Sequence, residues 1–459
     1  MNRLRVLHAI HDFLPRHLAG SEIYAYELAR ALSRKHDVWM LAAEYDLAAN
    51  HGQIRWRRHE DVAVVEVVNN WEFRGFDETY ASPRLNRQIE HVLHAVRPDV
   101  VHVHNLLNLS FDLPALAHAR GARVVATLHD YTLVCPSGGQ RIHRADRHVC
   151  DTIDVERCAR CFGESPFGAQ LAVGRTAARV RGRPLLRAAD AVRRRLPVVA
   201  RAAARYTPGV RLEPDDIRAR LAYAQHVFRT VDLFVAPSAT LAREFVRLGV
   251  PPSRIEVSEN GSAVGPDLAP RPERSRVAVG FVGSIVWHKG VHVLIEAARR
   301  LRGDFDVRIF GDPCVAPDYT RDLERMAEGL PVRFEGAFDR ATAAAVYRGI
   351  DVLVVPSLWP ENAPLVLQEA SLHGVAVVAA RVGGIPEFVT DGVNGLLYDA
   401  TSANELAAAL QRLIDDPPLR ASLAAVARPV KSIVQDAEDW ERRYHRVLQG
   451  QVGPLSVSV

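Results

Sequence analysis

Two glutamates in the second half of the chain have the residue type and spacing to bind a polyhydroxylated ligand. Glu361 and Glu369 frame the segment ENAPLVLQE, which directly follows the apolar run DVLVVPS at 351–357. Carboxylates accept strong hydrogen bonds, so two of them at different heights beside one ligand suit the paired hydroxyls of a sugar or a ribose. The plain alternative for such a pair is two solvated side chains near the start of a helix.

The residues between the two glutamates predict an anion site at a helix start. Asn362, Ala363, Pro364 and Leu365 come just after the predicted strand, and proline suits the first helical turn, where its missing N–H does no harm. The free N–H groups at a helix start favour negative charge. A diphosphate therefore fits this segment.

Other candidate ligand groups follow the first strand of each half and a further strand in the first half. Gly283 and Ser284 lead to Lys289, whose charge can neutralise a phosphate that glycine lets approach the backbone. Gly20 opens a helix near the N-terminus, although an ordinary strand–helix turn explains that glycine equally well. His129 begins a His-Asp pair at the carboxyl end of a strand, where polar side chains more often line a cleft than pack in a core.

The elements that must position these residues alternate in a regular way. Short β-branched runs alternate with amphipathic helical segments, which predicts parallel sheets with helices on both faces. This rhythm restarts after the proline-rich segment at 266–272. We therefore predict an α/β protein of two Rossmann-like, doubly wound domains facing each other across a cleft, with the ligand at the carboxyl ends of the strands. Predicted strands are 4–10, 37–43, 61–68, 100–104, 123–128, 232–236, 277–282, 306–310, 332–336, 351–355, 376–379 and 396–398; predicted helices of the first half are 22–34, 84–96 and 113–120.

The predicted domain boundaries follow from this rhythm. The first domain is 1–268, interrupted by an insertion at about 136–224 that is too long for a strand–helix connection. The second domain is 269–430. A C-terminal helix and tail at 431–459 come after the second sheet is complete, and we expect them to return to the first domain.

Charge and hydropathy exclude some classes of protein. The net charge of +4 is too small to make nucleic acid the expected partner. No apolar run approaches the roughly 18 residues that a membrane span requires, and the N-terminus does not resemble a signal peptide. We therefore expect a cytoplasmic protein.

In order and spacing these motifs resemble glycosyltransferase family 4, which comprises retaining enzymes of the GT-B fold. The resemblance is carried by the glycine in the first loop, the His-Asp pair at 129–130, the Gly-Ser and Lys-Gly pairs at 283–290 and the E-x7-E motif at 361–369, and it covers nearly the whole chain. It implies transfer of a sugar from a nucleotide-sugar donor to a hydroxyl of a glycan, glycolipid or lipid-linked acceptor, in the biosynthesis of cell-surface polysaccharides or glycoconjugates. A small-molecule or natural-product acceptor, and an inactive nucleotide-sugar-binding scaffold, are the alternatives.

The resemblance also implies a role for each matched residue. Glu361 would bind hydroxyls of the donor sugar, Glu369 the ribose, and Lys289 the departing diphosphate. His129 would contact the donor sugar beside the anomeric carbon, and Gly20 would direct its amide to the distal phosphate. No catalytic cofactor is implied, because a lysine and helix amides replace a cation.

Two further positions complete the implied site. Asn260 would line the floor between the domains. Many relatives have arginine where this chain has Ser284, so another basic residue, Arg16 or His288, would have to supply the second charge on the diphosphate.

An oxidoreductase is the rival enzyme class, but no G-x-G-x-x-G follows a predicted strand. The D-x-D sequence at 304–306 opens a predicted strand, and we interpret it as a chance match to metal-dependent transferases.

Four cysteines in the predicted insertion have metal-ligand spacing. Their pattern is C-x14-C-x7-C-x2-C, and it consists of Cys135, Cys150, Cys158 and Cys161. Tetrahedral zinc favours the C-x2-C pair, and four cysteine ligands would make a closed structural site. Unliganded thiols and disulfides are the alternatives. The remaining cysteine, Cys314, is expected to be a buried thiol.

The same insertion is strongly basic. Between residues 171 and 229, fourteen arginines stand against four acidic residues, a net charge of +10. Within it, residues 184–196 place Arg187, Arg194 and Arg195 opposite an apolar face. This pattern indicates either a solvated basic helix or peripheral attachment to anionic lipid at the inner face of the cytoplasmic membrane, or to a phosphorylated acceptor.

Overall fold

The chain forms two units, each with one large sheet. The computed structural model describes residues 3–17, 19–180, 209–267, 269, 274–339, 342–426 and 428–451. Contacts within the chain assign Met1–Pro237, Ala242–Asn260 and Ile433–Val459 to unit 1, and Ser238–Leu241 and Gly261–Ser432 to unit 2.

The sheet of unit 1 is parallel except at one edge. In chain order the strands are β1 (Arg5–Ile10), β2 (Asp37–Glu44), β3 (Ile54–His59), β4 (Val62–Val68), β5 (Val100–Val103), β6 (Arg123–Thr127), the hairpin β7 (Ile142–His143) and β8 (His148–Val149), then β9 (Leu233–Ala236) and β10 (Ile255–Val257). The main sheet has the order β10-β9-β6-β5-β1-β2-β4-β3, and only β3 and β4 pair antiparallel. The chain reverses its winding direction at β1, so the carboxyl ends of β1 and β5 form the switch point at which doubly wound sheets bind ligands.

Several helices of unit 1 begin at a residue whose side chain caps the first turn. Ser82, for example, accepts a hydrogen bond from the amide of Leu85 at the start of α2, and Pro83 occupies the first helical position. The helices are α1 (Gly20–Leu32), α2 (Pro83–Val96), α3 (Leu113–His118), α4 (Val155–Glu164), α5 (Pro166–Val180), α6 (Pro214–Thr230) and α7 (Ala239–Arg247), whose first three residues are assigned to unit 2, with 3-10 turns at Asp77–Thr79 and Pro252–Arg254. The predicted insertion at 136–224 ends within α6, which leads directly into β9.

The sheet of unit 2 has the strand order of a dinucleotide-binding fold. Its strands are β11 (Val277–Val282), β12 (Phe305–Phe310), β13 (Val332–Gly336), β14 (Val352–Val355), β15 (Ala376–Ala380) and β16 (Leu396–Tyr398). They pair in parallel in the order β13-β12-β11-β14-β15-β16, which places the switch point between β11 and β14. Both β14 and β15 are buried along their whole length, as expected for strands with helices on both faces.

Helices connect the strands of unit 2, and two more follow its last strand. They are α8 (Val291–Ala298), α9 (Pro317–Ala327), α10 (Ala343–Arg348), α11 (Leu365–Leu372), α12 (Ile385–Phe388), α13 (Ala403–Asp415) and α14 (Pro417–Ala425), with a 3-10 turn at Trp287–Lys289. Asp306, the second carboxylate of the D-x-D sequence, lies in β12, is 8% exposed and pairs with Arg308 at 2.8 Å. That geometry belongs to sheet packing.

The C-terminal helix α15 (Ile433–Leu448) is part of the core of unit 1. Trp440 and Tyr444 are 1% and 0% exposed. The indole N–H of Trp440 donates to the hydroxyl of Tyr24 at 3.1 Å, and that hydroxyl lies 2.8 Å from the carboxylate of Asp436. The hydroxyl of Tyr444 lies 2.7 Å from Nδ1 of His102 in β5. Aromatic burial with satisfied polar groups therefore holds the helix against α1 and the sheet.

Candidate functional site

The loop after β11 brings Lys289 to the end of β14. The loop closes with the 3-10 turn Trp287–Lys289, and Gly290 then adopts a left-handed conformation with φ of 72°. A Cβ atom at this position would lie 1.8 Å from the carbonyl oxygen of Pro356, which follows β14. Only glycine allows the two loops to approach this closely, so Gly290 fixes the place of the lysine beside it.

Lys289 and Glu361 form an ion pair at the switch point of unit 2. The ammonium Nζ lies 2.5 Å from Oε1 of Glu361, and the hydroxyl of Ser357 donates to the same oxygen at 2.6 Å. The carboxylate is 5% exposed. Burial by itself would raise the pKa of Glu361, but the charge and hydrogen bond of Lys289, together with the hydrogen bond from Ser357, outweigh it and lower the pKa below its ordinary value. The site therefore holds a charged, oriented carboxylate beside a cation.

The backbone of Glu361 is held by the loop that follows β15. The amide of Gly384 donates to the carbonyl of Glu361 at 2.6 Å, and Gly383 has a φ of 58°. A Cβ on Gly383 would lie 2.5 Å from the amide nitrogen of Glu361. The sequence analysis missed these glycines, whose signal is the Gly-Gly pair after an apolar strand.

Helix α11 begins one residue later than the sequence predicts. Pro364 has ψ of 118° and caps the helix from outside, so Leu365 is the first helical residue, and the placement of proline in the first turn was wrong. The reason is that Pro364 itself has extended dihedral angles, with φ of −65° and ψ of 118°. Asn362, 7% exposed, and Ala363 lie in the segment between Glu361 and the helix start, and the chain bends at Asn362.

Glu369 lies on α11 and has a partner of its own. The hydroxyl of Tyr347, a fully buried residue of α10, lies 2.5 Å from its Oε2. Burial, followed by the charge of this carboxylate, raises the pKa of Tyr347 well above its ordinary value. The phenol therefore remains a donor that orients Glu369.

The residues suggested for the second charge on the diphosphate, Arg16 and His288, have different surroundings: His288 is 5% exposed in the turn that contains Lys289. Ser284 is exposed and Gly283 has a φ of 150°. Arg16 is paired with two carboxylates of its own unit, Glu44 and, at 3.2 Å, Glu66. Its charge is therefore already compensated.

Unit 1 contains the other predicted ligand residues. Gly20 is exposed as the first residue of α1, and Asn260 is buried as the last residue of its segment of unit 1. His129 follows β6, with its Nε2 3.1 Å from Nδ1 of His104. Burial lowers the pKa of His129 to about 3, so this ring is neutral at physiological pH. A neutral imidazole can exchange hydrogen bonds with a sugar but adds no charge.

Asp130, beside His129, is held by hydrogen bonds. One carboxylate oxygen accepts from the side-chain amide of Asn105 at 2.8 Å, and the other accepts from the backbone amide of Thr132 at 2.8 Å. Burial raises the pKa of Asp130 despite these bonds. The sequence analysis missed Asn105 and His104; their signal is the H-x-H-N sequence at the end of an apolar strand.

The four cysteines of the insertion line one cavity. It is lined by the loop after β6, the β7–β8 hairpin and α4, which contribute Cys135, Cys150, Cys158 and Cys161. In the described part of the chain, two groups of three His, Cys, Asp or Glu side chains bring their ligand atoms within 4.8 Å of one another, and neither contains a cysteine. The thiols therefore share a cavity without converging to the spacing of a metal site. Cys314 is exposed in the loop after β12, so the expectation that it is buried was wrong.

The basic helix predicted at 184–196, with Arg187, Arg194 and Arg195, lies outside the described residues. Among the residues that are described, no helix is both long enough and apolar enough to span a bilayer.

Two family models match the chain, one in each half. Residues 18–176 match the model described as Glycosyltransferase Family 4, and residues 276–416 match the model described as Glycosyl transferases group 1. The D-inositol 3-phosphate glycosyltransferase of Corynebacterium glutamicum (strain R) is 37% identical over 223 residues, covering 40% of this chain and 52% of that protein. The protein of the same name from Salinispora arenicola (strain CNS-205) is 33% identical over 253 residues, covering 49% of this chain and 56% of that protein. The chain thus spans about half the length of the curated relatives that it matches.

Solved structures identify the fold. HepE of Anabaena in complex with UDP and glucose aligns with a TM-score of 0.62 at 16% identity, covering 96% of this chain and 100% of that chain. Sucrose-phosphate synthase of Thermosynechococcus elongatus aligns with a TM-score of 0.68 at 16% identity, covering 98% and 100%. The fold is GT-B, and both family models that match the chain describe glycosyltransferases.

Proposed function

We propose that the chain transfers a sugar from a nucleoside diphosphate sugar to a hydroxyl of a small-molecule acceptor, with retention of the anomeric configuration. The observation that carries this proposal is the Lys289–Glu361 pair between β11 and β14, beside the start of α11. A carboxylate for hydroxyls and a cation for a diphosphate stand there next to helix amides. This combination suits a nucleotide sugar better than a nucleotide or a sugar alone.

Donor binding would rearrange the ion pair. The diphosphate would draw Lys289 toward its oxygens, and Glu361 would then accept hydrogen bonds from the sugar hydroxyls. Ser357 keeps the carboxylate oriented during this exchange, since it bonds the same oxygen as the lysine. Glu369, oriented by Tyr347, would accept from the ribose hydroxyls.

The chemical step needs little proton transfer by side chains. The bond from the anomeric carbon to the diphosphate oxygen breaks, and the acceptor oxygen bonds to the same face of that carbon. A phosphate oxygen takes the proton of the acceptor hydroxyl as the diphosphate leaves. The protein contributes position and stabilisation of the developing negative charge, from Lys289 and the amides of α11.

The curated relatives favour a small-molecule acceptor over the glycan or lipid-linked acceptor that the motifs suggested. The names of the relatives specify an inositol phosphate as the acceptor. We therefore propose a hydroxylated small molecule, such as a phosphorylated cyclitol.

The proposal is tested by assaying release of nucleoside diphosphate from UDP-, GDP-, ADP- and dTDP-sugars, with and without inositol phosphates. We expect one donor to be consumed, faster with a small acceptor than with water. Lys289→Met should lose turnover, and Lys431→Met, which changes a lysine outside the pair, should retain it. Absence of turnover with every donor, or turnover unaffected by Lys289→Met, would refute the proposal.

We also propose that the four cysteines hold structural zinc. The support is that all four line one cavity. Binding would require the thiols to move closer together than they stand. Elemental analysis of protein prepared under reducing conditions should find one zinc per chain; Cys158→Ser should lose it and Cys314→Ser should retain it. Equal zinc content in both variants would contradict the assignment.

A further inference from the structure

Three histidine rings form a hydrogen-bonded row across the sheet of unit 1. In β1, His8 is 0% exposed, and its Nδ1 lies 2.9 Å from Nε2 of His104. The other nitrogen of His104 lies 3.1 Å from Nε2 of His129. The row arises because β6, β5 and β1 are adjacent and their side chains alternate in direction, so that residues two apart share a face.

The row does not have the geometry of a metal site. The ligand atoms of His8, His102 and His104 lie within 4.8 Å of one another. However, both nitrogens of His102 already have partners, the hydroxyl of Tyr444 at 2.7 Å and that of Thr127 at 2.8 Å. Both nitrogens of His104 are likewise bonded. The ring nitrogens are therefore used in hydrogen bonds rather than as metal ligands.

Counting protons shows that the row has a direction. A neutral imidazole carries one N–H and one bare nitrogen. Burial lowers the pKa of His8 to about 3 and that of His104 well below its ordinary value, so these rings are neutral. His104 then donates in one of its two bonds and accepts in the other. Two arrangements are therefore possible. Either His8 donates to His104 and His104 donates to His129, or His129 donates to His104 and His104 donates to His8.

The far end of the row selects between these two directions. Nε2 of His8 is buried and has no hydrogen-bond partner among the described residues. If the rings donate toward His8, this nitrogen must carry a buried N–H without an acceptor. If they donate toward His129, it is a bare nitrogen, and buried acceptors without partners are tolerated more often than buried N–H groups without partners. The arrangement in which the rings donate toward His129 is therefore the more stable.

We propose that His8 and His104 are positioning residues that fix His129 as the tautomer protonated at Nδ1. His8 donates from Nδ1 to His104, and His104 donates from Nδ1 to Nε2 of His129. His129 is then a neutral hydrogen-bond donor, aimed by two buried residues. As a contact of the donor sugar it would donate to a sugar oxygen, and this last step rests on the proposed function.

The tautomer can be measured without any substrate. In protein labelled with 15N-histidine, long-range proton–nitrogen correlation distinguishes a protonated from a bare ring nitrogen, and loss of the signal in His129→Gln assigns it. We expect Nδ1 of His129 to be protonated in the wild type. In His8→Leu the row loses its first donor, so both directions become accessible and the signal should move toward the Nε2–H form.

A matched control separates this effect from a loss of packing. His102 is as buried as His8 and stacks on His104 with ring centroids 4.3 Å apart, but it lies outside the row. His102→Gln should therefore leave the His129 tautomer unchanged, even where thermal stability decreases. A wild-type His129 protonated at Nε2, or a tautomer that His8→Leu leaves unchanged in folded protein, would overturn the proposal.

Enzyme kinetics then tests the link to catalysis. Loss of one neutral hydrogen bond to the sugar corresponds to a decrease of about two- to tenfold in kcat/KM, which we expect in His8→Leu and not in His102→Gln. If the tautomer changes as expected and kcat/KM does not, the row still sets the tautomer, and the proposed contact of His129 with the sugar is wrong.

Discussion

Replacement of Glu361 by glutamine is the substitution with the clearest expected outcome. The carboxylate is 5% exposed and accepts from Lys289 at 2.5 Å and from Ser357 at 2.6 Å. The amide of glutamine has the same size, and it keeps an oxygen for Ser357. It has no charge, so Lys289 loses its counter-charge.

The expected loss of stability lies between the loss for an exposed ion pair and the loss for a buried ion pair. Removing one partner costs about 3–5 kcal/mol when both charges are fully buried and about 0.2–1 kcal/mol when they are exposed. The side chain of Lys289 is 28% exposed, against 6% for Glu361. We therefore expect Glu361→Gln to lower the free energy of unfolding by about 1–3 kcal/mol. At about 2–4 °C per kcal/mol for a unit of this size, the Tm decreases by roughly 2–12 °C.

The effect of Glu361→Gln on ligand binding shows whether Glu361 contacts the sugar or the diphosphate. A hydrogen bond to a charged group contributes about 1.5–3 kcal/mol and one to a neutral group about 0.5–1.5 kcal/mol. For one or two sugar hydroxyls, kcat/KM should fall about ten- to hundredfold with the preferred donor. Affinity for the nucleoside diphosphate alone should stay within about threefold, since Lys289 remains. Calorimetry with the diphosphate and initial rates with the donor measure the two effects.

Two other glutamates provide controls. Glu296, in an exposed pair with Arg300 at 3.1 Å, should tolerate the same change without effect. Glu369→Gln should lower the affinity for the nucleoside diphosphate and for the donor by the same factor. The reason is that Glu369 would bind the ribose, which both ligands contain. The assignment of Glu361 to the sugar is wrong if Glu361→Gln keeps the wild-type kcat/KM. It is also wrong if the variant loses as much affinity for the nucleoside diphosphate as for the donor.

Three further outcomes are expected. Because the pKa of His8 and of His129 is about 3 in the folded chain and about 6.5 when unfolded, only the unfolded state gains protons as pH falls from about 6.5 toward 3. Unit 1 should then lose about 1.4 kcal/mol per pH unit for each such ring, and the urea midpoint should depend less steeply on pH in His8→Leu. NMR of the product should show the anomeric configuration of the donor; an inverted linkage would exclude a retaining mechanism. Vesicles of anionic lipid should bind the protein at low salt and release it at high salt. Replacing Arg187, Arg194 and Arg195 by glutamine should abolish this binding. If the wild type does not bind such vesicles at low salt, the segment has no membrane role.

Local pattern was sufficient to predict most strands. The runs at 277–282, 332–336 and 396–398 have the predicted bounds. Val277–Val282 is a continuous apolar segment, as expected for a parallel strand covered on both faces, whereas Val332–Gly336 is an edge strand whose side chains alternate between half-buried and exposed. Strand β3, with the sequence IRWRRH, was missed because three of its side chains are arginines at a half-exposed sheet edge. Strand β10 was missed because three residues are too short for a periodic signal.

The sequence by itself determined which chemical groups follow the strands, and the tertiary structure decided which of them meet. Lys289 and Glu361 are recognisable from the residues around them, because a strand followed by a glycine-rich turn is a local pattern. Their ion pair depends on β11 lying beside β14 and on the contact that Gly290 permits with Pro356. The row from His8 through His104 to His129 joins three strands, and nothing local specifies that order. Hydrophobic periodicity is read within a few residues, whereas strand order is set by packing between segments that are distant in the chain.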